Sequence, residues 1–557
     1  MSKPFGSNIP SPLAKADFVN VASKAFDAGQ TLPQLLISAC ERYADKPAFT
    51  NLDCTLSFND VNRLSADFAA YLRHGLGLQP GSRVAIMLPN LLQYPVALLG
   101  VLRADLVAVL INPMYTAREL KHQLKDSGSS VLVVLDNFGA VAADSLEETS
   151  VKHVITTRVG DMLPFPKSKI VDFTLKHVKK LIPAFNIPNA IRWPNAIAQG
   201  KRLPRVQSQA KAGDTVQLQY TGGTTGLSKG AVLAHSALVA NVASGEQCFG
   251  RAMDAEKDTV IICLPIYHIA AYTNMLFTMA QGFHAVLISN PRDIPHLIAT
   301  FAKVKPAFFS GVNTLYDALL NSPDFAKLDF SSLKLCLQGG TALRRATAER
   351  WKEVTGMQVV EGYGLSETSA AITYNRWDAP NPVGSIGIAL GEVEISLRDE
   401  NGNVVPMGEP GELCARGPQM TTGYWQQPEE TANAFFDGGW FRTGDIAKVD
   451  EQGYYFLLDR RKDMILVSGF NVFPNEIEDV VAMHAGVLEA AVVGIPDEKC
   501  GEAVRLVVVK KDPALSEEDL RSHCRKHLTG YKQPRVIEFR DALPKSAVGK
   551  ILRRELR

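Results

Sequence analysis

Through about Asn381, short unbroken apolar runs alternate with longer stretches in which apolar positions recur at helical spacing. Val84–Leu88, Leu106–Ile111 and Ser130–Leu135 are runs of this kind, rich in Val, Ile and Leu. They are too short for helices and predict buried strands. Leu91–Arg103 and Arg118–Asp126 lie between them with helical spacing. Buried strands separated by amphipathic helices predict βαβ units and a largely parallel sheet. The pattern returns in Thr259–Leu264, Ala285–Ile288, Ala307–Ser310 and Leu333–Leu337. No repeat on the scale of about 20–50 residues is visible, which excludes a solenoid.

After Asn381 the texture changes. Glycine and proline become frequent, and short strand-like runs such as Val393–Leu397 and Glu412–Ala415 alternate with turns. This predicts a smaller β-rich subdomain. Gly453–Leu458 adds a strand, and the charged run Asp459-Arg460-Arg461-Lys462-Asp463 follows as a solvated turn. Beyond it, Ala490–Gly494 and Val504–Lys510 read as strands and a helix starts at Ser516. The expected fold class is α/β: a large N-terminal region of parallel-sheet α/β subdomains plus a β-rich subdomain, with a small α+β C-terminal lid domain.

Size and charge narrow this picture. At 557 residues the chain holds about three to four packing units of roughly 150 residues, enough to bury large cores. Lys+Arg number 59 against 58 Asp+Glu, a net charge of +1, which argues against nucleic acid as a partner held by bulk charge. Val84–Pro113 is the most apolar region, but Pro89, Asn90, Arg103 and Asp105 interrupt it, so no bilayer span is expected. Met1–Asp17 is polar and lacks an apolar core, so no secretory signal is expected. The eight cysteines form no C-x-x-C, and several sit in apolar runs, as Cys263 does. That fits free thiols packing as small hydrophobes in a reducing cytoplasm.

One stretch departs from neutrality. Lys167 to Arg205 contains nine Lys/Arg and a single acidic residue, Asp172, interleaved with Phe173, Leu175, Leu181, Ile182, Phe185, Ile187, Ile191 and Trp193. Basic residues beside apolar ones suit peripheral contact with an anionic membrane, here the inner face of the cytoplasmic membrane. Pro183, Pro188 and Pro194 preclude one long helix.

Candidate chemistry concentrates in a few segments. Tyr220-Thr221-Gly222-Gly223-Thr224-Thr225-Gly226-Leu227-Ser228-Lys229-Gly230 follows the strand-like Val216–Gln219. Its glycines let backbone N–H groups face an anion, its threonines add hydroxyl donors, and its lysine adds a point charge. This suits a polyphosphate, although no Walker A spacing is present. The same run contains Gly226-Leu227-Ser228-Lys229-Gly230, a formal G-x-S-x-G, but a hydrolase elbow needs its serine at a sharp turn straight after a strand. Glu361-Gly362-Tyr363-Gly364-Leu365-Ser366-Glu367-Thr368 follows the apolar Met357–Val360 and reads as a loop. It offers a ring for stacking on a base and a hydroxyl and carboxylate for phosphate and Mg²⁺. Gln338-Gly339-Gly340-Thr341 allows close backbone approach after a strand, and Pro265-Ile266-Tyr267-His268 puts a histidine at a strand end. Asp445, in Trp440-Phe441-Arg442-Thr443-Gly444-Asp445, is a candidate acceptor for ribose hydroxyls.

These segments occur in a recognisable order together with Ser468–Glu478 and Pro544-Lys545-Ser546-Ala547-Val548-Gly549-Lys550. The chain resembles the adenylate-forming superfamily of acyl-CoA synthetases, firefly luciferase and peptide-synthetase adenylation domains from about Leu32 to Arg557. Its Asp437–Glu478 stretch resembles the bacterial long-chain fatty acyl-CoA synthetases. The resemblance implies that Thr221, Gly222, Gly223, Thr224, Thr225, Gly226 and Lys229 hold the β- and γ-phosphates. It puts Gly339, Gly340 and Tyr363 around the adenine, Thr341 and Gly364 among the ATP/AMP-binding residues, Ser366 at the α-phosphate, Glu367 on Mg²⁺, and Asp445 with Arg460 on the ribose. His268 is implied beside the acyl carboxylate, Lys550 between carboxylate and α-phosphate, and Lys462 at a hinge. Ser468, Gly469 and Phe470 are implied in the CoA step. Many superfamily members carry Ser at Gly222 and Pro at Ser228; the glycine resembles the fatty-acid branch.

The implied activity joins a long-chain fatty acid to CoA through acyl-AMP, with ATP and CoA as substrates and Mg²⁺ as cofactor. The implied domains are 1–459, a hinge at 460–463 and a mobile domain at 464–557, with the β-rich part at about 381–459. Homodimerisation is compatible with the resemblance. Three other readings stand beside it: the same chemistry on a medium-chain or aryl acid, a hydrolase built on Ser228, and a non-catalytic acyl or nucleotide carrier.

Overall fold

The computed structural model of the chain describes residues 27–221, 228–340, 343–468, 470–497, 500–545 and 551–557. Its first sheet has seven strands in the order Ile191–Arg192, His153–Thr157, Val131–Leu135, Arg83–Met87, Val107–Leu110, Thr215–Thr221, Lys229–Ala234. All neighbours are parallel except the last pair. Val131–Leu135 is buried at every position, as a central strand covered on both faces must be. The helix Ala117–Ser127 starts at a capping box, with Thr116 N donating to Glu119 Oε2 at 2.8 Å, and ends at the left-handed Gly128. Val84–Pro113, the most apolar part of the sequence, forms a strand, a helix and a strand inside the core.

The second sheet has nine strands in the order Ile388–Ala389, Ala370–Tyr374, Val359–Leu365, Leu335–Gly339, Phe308–Gly311, Thr259–Ile262, His284–Leu287, Pro47–Asn51, Cys54–Ser57. Its six central strands, Val359–Leu365 through Pro47–Asn51, are parallel. One apolar core joins the two sheets through the helices between them. It includes Val84 and Ile86 of the first sheet, Leu98 and Leu102 of the helix Gln93–Arg103, and Val260 and Phe308 of the second sheet. Cys248, Cys263 and Cys336 are buried, and burial pushes their thiols up to about 12, which leaves them unreactive at neutral pH.

An antiparallel five-stranded sheet follows, built from Glu394–Arg398, Gly411–Arg416, Phe435–Phe436, Trp440–Val449 and Tyr455–Arg460. Ile388–Ala389, by contrast, pairs with the nine-stranded sheet. The last sheet holds Ile465–Val467, Phe470–Val472, Val487–Asp497, Gly501–Lys510 and Val536–Phe539. The helices Pro474–Ala482 and Glu517–His527 share its core through Ile477, Val481, Leu520 and Cys524. Ser516 caps the second of these helices, accepting from Asp519 N at 3.2 Å.

Two readings of the sequence change here. The segment from Glu361 to Leu365 is no loop: the strand Val359–Leu365 runs through it, paired with Ala370–Tyr374. Its glycines weaken the strand signal, yet a Cβ on Gly362 would meet the Tyr374 ring at 2.2 Å. The run Asp459–Asp463 is only partly a solvated turn. Asp459 and Arg460 end a strand, and Asp459 is buried.

Candidate active site

Parallel strands present their carboxyl ends to ligands, and the candidate residues gather there. Leu335–Gly339 leads into Gly340, whose φ of +82° is a left-handed conformation that suits glycine. The neighbouring strand Val359–Leu365 leads into the 3₁₀ turn Ser366–Thr368. That turn is held tightly. Leu365 N donates to Thr368 Oγ1 at 2.8 Å, and the same hydroxyl donates to Ala370 O at 2.6 Å. Ser369 and Ala370 both have positive φ, at 52° and 85°, backbone strain that side-chain ties keep in place at functional turns. Gly364 is required, since a Cβ there would lie 1.8 Å from Ala370 O.

Two polar clusters flank this turn. In the first, the buried Tyr363 donates its hydroxyl to Asp445 Oδ2 at 2.6 Å, and Arg460 Nε stands 3.1 Å from Asp445 Oδ1. Asp445 and Arg460 are cross-strand partners in the β-rich sheet. Burial, then the Asp445 charge, pushes the Tyr363 phenol well above its ordinary value, so it remains a donor.

The second cluster centres on Glu367. Tyr424 donates to Glu367 Oε1 at 2.8 Å. Burial pushes this carboxyl up, and the tyrosine bond pulls it back. Tyr424 is delivered by residues 421–425, which run beside Lys229–Ala234: Val232 N donates to Gly423 O at 2.9 Å and Trp425 N to Gly230 O at 2.8 Å. Lys229 pairs with Glu430, its ammonium 5.5 Å above the Tyr424 ring.

The Thr/Gly run meets the same place. Thr221 and Lys229 are register partners at the ends of two antiparallel strands, and the Ser366–Thr368 turn packs on both strands. Gly222, Gly223, Thr224, Thr225 and Gly226, with Thr341, Gly469 and Lys550, lie outside the described residues. Ser228 leads into a strand rather than a helix, so the architecture of a nucleophile elbow is absent at this serine. His268 caps the helix Ile269–Ala280, accepting from Ala270 N at 3.4 Å. It stays close to the strand Thr215–Thr221, because Gln219 Nε2 donates to Tyr267 O at 3.1 Å.

Lys462 and the residues Ser468 and Phe470 lie further along. Lys462 is exposed at its surface, and partial desolvation, reinforced by Arg460, lowers its ammonium to about 8. Ser468 sits in a left-handed turn with φ 51°, and the exposed Phe470 stacks on Tyr531 at 4.6 Å.

Sequence reasoning missed several groups. Arg553 reaches Asp459 at 3.2 Å and Glu478 at 2.8 Å, tying the last sheet to the β-rich one. Burial pushes the Asp459 carboxyl up to about 6 despite that arginine. Glu361, largely buried beside the Gly339–Gly340 turn, accepts from Leu343 N at 3.0 Å, and burial pushes it up to about 7. Tyr424 carries no local signal, since its partner is 57 residues away. A narrow cavity lies between the helices His235–Phe249 and Ile269–Ala280, lined by Gly245, Phe249, Thr273, Phe277 and Tyr374.

Comparison with known proteins places this geometry. Residues 36–425 match the model of the family described as AMP-binding enzyme, and residues 476–550 match that of the AMP-binding enzyme C-terminal domain. A long-chain-fatty-acid–CoA ligase of Salmonella typhimurium strain LT2 is 50% identical over 532 residues, covering 95% of each chain. One of Bacillus subtilis strain 168 is 36% identical, covering 95% of this chain and 94% of its own. Among solved structures, an anthranilate CoA ligase in complex with anthranoyl-AMP superposes with a TM-score of 0.81 at 27% identity, covering 95% of this chain and 97% of its own.

Proposed function

The chain belongs to the AMP-binding enzyme family, and from that premise we propose that it is an ATP-dependent ligase converting a long-chain fatty acid to its CoA thioester. The observation that carries the reading is the convergence of the Tyr363–Asp445–Arg460 and Glu367–Tyr424 clusters on the strand ends that flank the Thr/Gly run.

In the first step an acid carboxylate oxygen attacks the α-phosphorus of ATP; the bond to the β-phosphate bridging oxygen breaks, and pyrophosphate leaves. In the second the CoA sulfur attacks the acyl carbonyl, its proton is released, and AMP departs with the bond electrons. Side chains have little covalent work in either step, so their task is positioning and charge compensation.

Thr221 to Lys229 would hold the β- and γ-phosphates, with Ser366 at the α-phosphate. Gly339, Gly340 and Tyr363 would border the adenine, with Thr341 and Gly364 also against the nucleotide, and Asp445 with Arg460 would hold the ribose. His268 would sit beside the carboxylate and Lys550 would bridge it to the α-phosphate. Glu367 fits Mg²⁺, since it offers a buried hard oxygen that Tyr424 orients. When bound, the ion neutralises phosphate charge.

Dividing the chain at 460–463, with Lys462 in the hinge and Ser468, Gly469 and Phe470 serving the CoA step, lets one site perform both reactions. The flanks of the Lys550 segment support delivery of that lysine first. Lys545 pairs with Glu489, and Arg344, which follows the Gly339–Gly340 turn, donates to the neighbouring Leu488 O at 3.4 Å. No helix among the described residues is long and apolar enough to cross a membrane, so contact with lipid would be peripheral.

The test is pyrophosphate release with ATP, Mg²⁺, CoA and acids of graded length. Strongest turnover on long-chain acids is expected. Strongest turnover on a medium-chain or aryl acid overturns the substrate, and no ATP-dependent release overturns the reading.

A further inference from the structure

Phe165, Ile170, Phe173, Val178 and Leu181 are each more than half exposed, Phe165 at 82%, and all fall in one short stretch. It is built as the helix Lys167–Phe173, continued by a π-helical turn over Thr174–Val178, with no fully buried residue. The helix is nevertheless anchored. Asp172 Oδ1 accepts from Gly160 N at 2.8 Å, and Lys167 reaches the Leu52 carbonyl and Asp53.

Its outward side is not the purely polar face of an ordinary surface helix. Lys167, Ser168, Val171, Asp172, Thr174 and Leu175 are the partly covered positions, while Lys169, Ile170, Phe173, Lys176 and His177 face outward. Lys179, Lys180 and Leu181 continue the outward face past the helix end. Lys169, Lys176, Lys179 and Lys180 have no ion-pair partner among the described residues. The single carboxylate from Lys167 to Arg205, Asp172, is occupied on the partly covered side.

We propose that residues 165–181 form a docking surface for an anionic lipid bilayer. Phe165, Ile170, Phe173, Val178 and Leu181 enter the headgroup–acyl boundary, and the four lysines meet lipid phosphates. Charge complementarity selects this occupant: an apolar ridge edged by one sign of charge matches a surface that is apolar beneath and anionic above. The exposed Leu52, whose carbonyl Lys167 holds, extends the apolar surface onto the neighbouring hairpin. The inference deepens the long-chain-acid reading, because such an acid partitions into the same surface. It is tested without any substrate, so failure of one reading leaves the other standing.

The experiment is co-sedimentation of the full chain, without ATP or acid, with phosphatidylglycerol-rich vesicles and with pure phosphatidylcholine vesicles. Binding to the anionic vesicles alone is expected, weakening with added salt. The triple variants F165S/I170S/F173S and K176E/K179E/K180E should each weaken it by at least about tenfold with thermal midpoints unchanged. Parental binding by a folded variant, or equal binding to neutral vesicles, overturns the proposal. If the variants alter the sedimentation state of the free protein and neither they nor the parent binds vesicles, the face belongs to a second copy and the lipid assignment fails. Should the apolar triple not fold, the lysine triple decides alone.

Discussion

The Tyr363 hydroxyl donates to Asp445 Oδ2 across 2.6 Å, and so joins the central α/β sheet to the β-rich sheet at the proposed nucleotide. Asp445→Ala removes the acceptor for Tyr363 and, in our reading, for the ribose. A hydrogen bond to a charged group contributes about 1.5–3 kcal/mol, so ATP should bind roughly 10- to 100-fold more weakly. Tyr363→Phe keeps the ring and loses only the tie, so a smaller loss is expected. Calorimetric titration with a non-hydrolysable ATP analogue measures both; unchanged affinity in Asp445→Ala would remove this carboxylate from the site.

Tyr424→Phe tests the proposed metal carboxylate. Burial raises the Glu367 carboxyl, and the Tyr424 bond pulls it down. Without that bond Glu367 should stay protonated to a higher pH. The acid limb of the pH–rate profile should therefore move up in pH, and the Mg²⁺ needed for half activity should rise most at low pH. A uniform loss across the range would reduce Tyr424 to a packing role.

Lys550→Ala should abolish acyl-AMP formation and leave thioester formation from supplied acyl-AMP largely intact. Separate assays of the half-reactions decide it. Equal loss in both, in a folded protein, contradicts the assignment.

Glu361 makes stability depend on pH in a predictable direction. Its buried carboxyl is raised from 4.5 to about 7, so the folded chain holds more protons between those values. Its contribution is fully present below about 4.5 and is lost as pH rises through 7, roughly 3 kcal/mol in all. Glu361→Gln keeps an acceptor for Leu343 N and should flatten this share of the curve. Denaturation midpoints across that window, in parent and variant, are the measurement.

Arg553→Ala leaves Asp459 and Glu478 sharing a buried site without their cation. A loss of about 3–5 kcal/mol is expected, the cost of breaking one side of a buried ion pair. Faster proteolysis near residues 460–463 should accompany it. A variant as stable and as resistant as the parent would show that Arg553 does not tie the last sheet down.

Much of this was readable without coordinates, for physical reasons that differ by element. Val131–Leu135 announces itself because a strand covered on both faces must be apolar throughout. The Thr/Gly run stands out in the sequence because several small or hydroxylic residues side by side suit a phosphate, although most of it lies outside the described residues. Glu361–Leu365 misleads because the glycines that let Tyr374 and Ala370 approach also dilute the strand pattern. Tyr424, Glu361 and Arg553 were silent for another reason. Each acts on a partner brought near only by folding, 57 residues away for Tyr424 and 94 for the Arg553–Asp459 pair, and a lone tyrosine or arginine in a sequence carries no mark of that partner.

The Asp445–Arg460 pairing also bears on how the protein comes into being. Tyr363 is synthesised 82 residues before the carboxylate it binds, and Arg460 later still. On the proposed reading, a nascent chain that has already folded both α/β sheets lacks Asp445 and Arg460, the groups assigned to the ribose, until the ribosome has passed Arg460. The proposed nucleotide site is therefore completed only late in synthesis.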